Sequence, residues 1–227
     1  MERHFESELR NLKQRILAMG GAVESAIEAA TQALIERKPE NFQKVHELEK
    51  TINQAHIEVD EACVNLLARQ SPLAADLRLV VAVIKINTDL ERMGDQAVNI
   101  AHNGGRYLSE PPLKPLIDIP RMAEEARLMV REALDAFVTQ NLELARDVLH
   151  RDDAVDAFKN QIFRELLTYM MSDPKAIERA LSLILIARNL ERIGDHATNI
   201  AEDVIFAITG DDIRHGERKT PPASTKI

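Results

Sequence analysis

The chain has 227 residues, 45% hydrophobic and 29% charged, with no Trp, few aromatics, eight Gly and nine Pro. That size suits one large or two small globular domains, and the dominance of Ala, Leu, Ile, Glu and Arg favours helix over sheet. A net charge of −8 without a basic run argues against nucleic-acid binding, and a single cysteine, Cys63, excludes an intrachain disulfide.

Apolar spacing sets out the elements. A first helix is predicted over about residues 4–38, with Leu9, Leu12, Ile16, Val23, Ile27, Ala30 and Leu34 on one stripe and Gly20-Gly21 as a possible bend. Pro39 ends it. A second helix, about 40–69, carries Val45, Leu48, Ile52, Ile57, Val59, Val64 and Leu67, with Cys63 at a core position. Ser71-Pro72 reads as an N-cap followed by Pro at the first helical position. The third helix runs to about His102, where Asn103-Gly104-Gly105 reads as a stop. Residues 109–120, SEPPLKPLIDIP, hold four prolines and read as a linker. Helices follow over about 121–139, 142–171 and, after Ser172-Asp173-Pro174, up to about Thr209. The polar tail beyond Gly210 is predicted to be disordered.

The expected fold class is therefore all-α: six long helices forming two pseudo-symmetric three-helix bundles side by side. The division is 1–107 for the first bundle, 108–120 for the linker, 121–209 for the second and 210–227 for the tail. The charged start, MERHFESELRNLKQR, is unlike a signal peptide, and the apolar runs are too short to span a bilayer. Together with the lone cysteine this predicts a cytoplasmic protein.

The chain also repeats a motif. Residues 89–101 read DLERMGDQAVNIA, and residues 189–201 read NLERIGDHATNIA. Nine of the thirteen positions are identical, and they include Glu, Arg, Gly, Asp and Asn, which apolar periodicity alone does not require. At ~100° per residue, Glu91 falls within the arc of Val80, Ile84, Val83, Val98 and Leu90, with Asp95 and Asn99 descending its edge. Glu191, Asp195 and Asn199 repeat that ladder. Lys85, Arg92 and Gln96 fall outside the arc, and His196 falls on the polar face with Arg192, where it reads as solvated. Gly94 and Gly194 lie in mid-helix, where Gly costs about 0.5–1 kcal/mol relative to Ala, so each implies the close approach of a neighbouring helix or a ligand.

The preceding helix of each half adds oxygen ligands: Glu49 and Asn53 beside Ile52, and Asp152 and Asp156 beside Val155, 103 residues on. Carboxylates gathered within a partly apolar site must protonate, pair with cations or bind metal. A solvated acidic edge, or pairing with arginines such as Arg92 and Arg192, is the plainer alternative. The duplication favours a divalent or iron site with hard oxygen donors in each half, at Glu49, Asn53, Glu91, Asp95 and Asn99, and at Asp152, Asp156, Glu191, Asp195 and Asn199. His102 lies within reach of the first ladder, but Glu202 stands at its counterpart. No Glu-x-x-His, His-Glu-x-x-His, phosphate-cradling Gly-rich loop or Gly-x-Ser-x-Gly is present, so an enzymatic role is not expected. A metal-dependent hydrolase or oxidase on the same carboxylates, or a metal-free scaffold, remain the competing readings.

These motifs, LER[M/I]GD-x-A-x-NIA in both halves with SPLAADLR at 71–78 and Asp152–Asp156, resemble the PhoU family of phosphate-transport regulators. The resemblance covers nearly all of residues 1–209. It implies a metal cluster of one or more ions on each bundle, holding iron, zinc, manganese or magnesium, and a homodimer. It implies negative regulation of phosphate uptake and of the phosphate-starvation response. The partners it implies are the ATP-binding subunit of the phosphate importer and a sensor histidine kinase. Asn53 departs from the family pattern, where an acidic residue matches better, so the first cluster is expected to bind more weakly.

Overall fold

A computed structural model describes residues 2–213. The helices are α1 (Glu2–Glu36), α2 (Gln43–Gln70), α3 (Ala74–Leu108), α4 (Asp118–Thr139), α5 (Leu142–Ser172) and α6 (Ile177–Thr209), with 3-10 turns at Pro39–Phe42 and Pro174–Ala176; no strand occurs among the described residues. Of the expected tail, residues 214–227 lie outside those described, while Ile213 packs against the core.

α3 and α6 are the central pair. Each is buried along most of its length because each packs on its own half and on the other. They run antiparallel, since Lys85 lies opposite Asp203 and Asp89 opposite Asn199. α1 and α4 cross antiparallel beside them, through Glu24–Arg131 and Glu28–Arg127. Residues 127 and 131 are the equivalents of 24 and 28 at the 103-residue offset. The two ion pairs are thus exchanged by a pseudo-twofold, as in an isologous dimer interface, but with Glu on one half and Arg on the other. One hydrophobic cluster runs through both halves, from Leu12 and Ile16 to Val204 and Ile205.

The elements depart from the sequence reading at several places, each for a local reason. α2 buries Val45, Ile52, Val59, Cys63 and Leu66. Ile57 and Val64 are 52% and 63% exposed, because α2 packs on one side only. Ser71 does not start α3. It ends α2 in the left-handed conformation, at φ 44°, its N–H bonding to the carbonyl of Leu67. Asp173 caps the short turn at Pro174 by accepting from the Lys175 N–H. Pro120 lies within the first turn of α4 and Pro39 opens a 3-10 turn, both compatible with a missing N–H. α1 passes Gly20-Gly21 without interruption, and Gly20 instead leaves room for the Leu134 side chain of α4. α3 likewise continues through Gly104 and Gly105 to Leu108, because Gly104 receives the Phe42 ring.

The segment between the halves is pinned. The Leu113 N–H donates to the Tyr107 hydroxyl oxygen, Arg37 donates to the carbonyl of Glu110 at 2.7 Å and Arg179 to that of Pro111 at 3.3 Å. Lys114, itself buried, pairs with Glu165 of α5.

Candidate metal centre

Where α5 meets α6, Gly194 faces Asp152 and Val155. A Cβ there would sit 3.4 Å from Asp152 Oδ1 and 3.4 Å from Val155 Cγ1. The matching contact in the first half is Gly94 against Ile52, at 3.2 Å. Both glycines therefore serve the close helix approach their mid-helix placement implied, and both approaches lie within a turn of the acidic positions.

In the second half the carboxylates are electrostatically joined. Desolvation, then the charges of Asp195, Asp156, Asp153 and Glu191, push the Asp152 carboxyl up to about 6. Desolvation, then Glu191 and Asp156, raise Asp195, while His196 and Lys159 pull it down. Lys159 Nζ donates to Asp156 Oδ1 at 3.0 Å and to Glu191 Oε1 at 2.8 Å, bridging α5 and α6. Asn199 turns away from this group and donates to Asp89 Oδ1 on α3 at 3.3 Å.

In the first half the same positions are less concentrated. Asn53 donates to Glu49 Oε1 at 2.5 Å. Arg92 lies 3.5 Å from Glu91 and 3.3 Å from Asp95. Asn99 is exposed, and its backbone carbonyl accepts from the Asn103 side chain. His102 is exposed as well.

Among the described residues, no three His, Cys, Asp or Glu side chains converge as they stand into a group that could hold a metal ion. The donors of the second half nevertheless suit a hard cation. Asp152, Asp156, Glu191 and Asp195 are all-oxygen donors on two facing helices. A stand-in cation, the Lys159 ammonium, already lies between two of them. Asp152, Asp156, Glu191 and Asp195 would hold an ion there, and a bound ion would supply positive charge that lets all four stay ionised. In the first half Glu49, Asn53, Glu91 and Asp95 would do so with one carboxylate fewer.

Two residues fall differently from the helical-wheel expectation. His196 is not solvated: its Nδ1 lies 2.8 Å from Asp89 Oδ1, in the seam between α3 and α6. Gln96, its counterpart on α3, is buried rather than outside the core. The wheel of a single helix shows one apolar arc, whereas α3 and α6 each have a second covered face, against one another.

Comparison with known proteins agrees with this architecture. The model of the PhoU domain matches twice, at residues 16–103 and 119–204. The PhoU homologue of the phosphate-specific transport system from Pseudomonas putida is 42% identical over 95% of this chain and 84% of its own length. The homologue from Aquifex aeolicus is 39% identical over 92% of this chain and 94% of its own. The crystal structure of PhoU from Pseudomonas aeruginosa superposes with a TM-score of 0.87 at 42% identity, covering 91% of this chain and 99% of that one. The PhoU structure from Streptococcus pneumoniae gives 0.84 at 27% identity, covering 92% and 99%. No helix among the described residues is long and apolar enough to cross a membrane. Two domain matches in phase with two sets of three helices establish that the chain belongs to the PhoU family.

Proposed function

We propose that this protein is a non-enzymatic accessory regulator of a phosphate-specific transport system, and that its acidic helix pairs bind metal. It acts in the cytoplasm, as a homodimer, and restrains phosphate uptake and the starvation response when phosphate is plentiful. Its partners are the ATP-binding subunit of the importer and a sensor histidine kinase. The accessory role rests on relatives named as accessory proteins of phosphate-specific transport that align along nearly the whole chain. The observation that carries the metal reading is the four-carboxylate group of α5 and α6, with Asp152 held well above the ordinary carboxylate range. Such a group is electrostatically costly unless a cation joins it.

Affinity capture of the tagged protein from phosphate-replete cells should recover the importer's ATP-binding subunit and the kinase. Recovery of neither would refute the partner assignment. Elemental analysis of the purified protein should find iron, zinc, manganese or magnesium, and the content should fall in Glu191→Ala/Asp195→Ala. Unchanged metal in that variant would remove those two residues from the site.

A further inference from the structure

The two halves treat their acidic clusters differently. At the 103-residue offset, Lys159 of α5 corresponds to His56 of α2. His56 does not bridge the first cluster; its Nδ1 lies 3.4 Å from the carbonyl of Asn87 and its Nε2 lies 3.5 Å from Asp60. Lys159 reaches the acids of both helices, Asp156 on its own and Glu191 on the facing one. It does so from a groove of about 250 Å³ that it lines with Phe163, Ile184, Arg188 and Glu191. Its side chain is 32% exposed, so the ammonium is held by two carboxylates but not enclosed.

An ammonium at 2.8–3.0 Å from two carboxylate oxygens occupies the space in which a bridging cation would sit. A divalent ion entering between the same oxygens would meet a positive charge a few ångströms away, and that repulsion is strong in a partly desolvated site. The lysine stem is long and flexible, so the head group can leave for the groove without moving the backbone. We propose that Lys159 is a built-in counter-ion of the second cluster, which a divalent cation must displace in order to bind. This rests on the metal reading above. Lys159 then holds α5 to α6 when metal is absent, and metal binding frees its amine. In the first half the counter-charge is Arg92, which meets Glu91 and Asp95 on its own helix, whereas Lys159 joins acids of two helices, so the two clusters differ in how cation binding is opposed.

The test uses Mn²⁺ titration of the full chain, followed by electron paramagnetic resonance. The class of sites lost in Asp195→Asn identifies the second cluster. Lys159→Gln should bind Mn²⁺ at that class about tenfold more tightly than the parent, and Lys159→Arg should stay near the parent value. In parallel, acetylation of surface amines read by mass spectrometry should modify Lys159 several-fold faster with Mn²⁺ than without. Affinity that is unchanged or weaker in Lys159→Gln, or Lys159 acetylation that does not rise with Mn²⁺, would overturn the counter-ion role while leaving the metal site standing. A parent chain with no Mn²⁺ class sensitive to Asp195→Asn would remove the metal reading and the counter-ion with it.

Discussion

Asp152 shows what the acidic group costs when no metal ion is bound. Its carboxyl is pushed from 3.8 to about 6, mainly by desolvation and then by Asp195. A raised acid favours the proton in the folded state. Its stability contribution is therefore complete below about pH 3.8 and lost as pH rises through about 6. At pH 7.5 the metal-free protein carries the full penalty, so Asp152→Asn should stabilise it by about 1–2 kcal/mol, discounted for partial exposure. The gain should vanish in acid below the unfolded value. Urea denaturation in chelator at both pH values checks this, and equal stability at pH 7.5 would show that the neighbouring charges are screened. Cys63 is the contrary case. It is buried in the core of the first half, and desolvation and then the charge of Asp60 push the thiol up to about 12. It behaves as a small apolar side chain, as its place in the α2 stripe suggested.

At the scale of the helices, adjacent glycines carry opposite information. A Cβ at Gly104 would come 2.5 Å from Phe42 Cζ, whereas one at Gly105 would meet nothing within 4 Å. Gly104→Ala should destabilise the protein by about 1–3 kcal/mol through overpacking, against a helix-propensity gain of about 1 kcal/mol. Gly105→Ala should stabilise it by roughly 0.5–1 kcal/mol. Thermal melts of the two variants should move in opposite directions, and parallel shifts would show that Phe42 does not fix Gly104. The same pair shows where sequence reading fails. Asn103-Gly104-Gly105 looks like a stop because a local pattern registers only the missing side chains. The ring that fills the gap lies 62 residues earlier, so only the tertiary fold reveals it. Gly94 and Gly194 were legible because acids and apolar neighbours at fixed offsets surround both. The apolar arcs that defined six helices were legible for the same reason, being local. Ile57 and Val64 were misplaced on the core stripe because apolar character alone does not say how many sides of a helix are covered.

For the molecule as a whole, the seam between α3 and α6 was the least legible feature, since the side chains that pair across it look polar on their own helices. Lys85 donates to Asp203 at 3.1 Å, and Asp203 is 1% exposed. Asp89 takes both His196 and Asn199. The pseudo-twofold would place Leu185 opposite Asn103 where Lys85 meets Asp203, so the halves have become unlike at the positions where they meet. With one core running through both, unfolding should be a single cooperative transition. Calorimetric and van't Hoff enthalpies should agree, and two resolved transitions would mean that the halves hold together only loosely. The strap between Tyr107 and Asp118 bears on the same point. Lys114, Pro111 and Glu110 hold it to side chains that belong to the bundles on either side. Covalent continuity there is nearly redundant: a protease that clips the exposed stretch near Pro112 should leave two fragments that travel through a sizing column as one particle, and part only in denaturant.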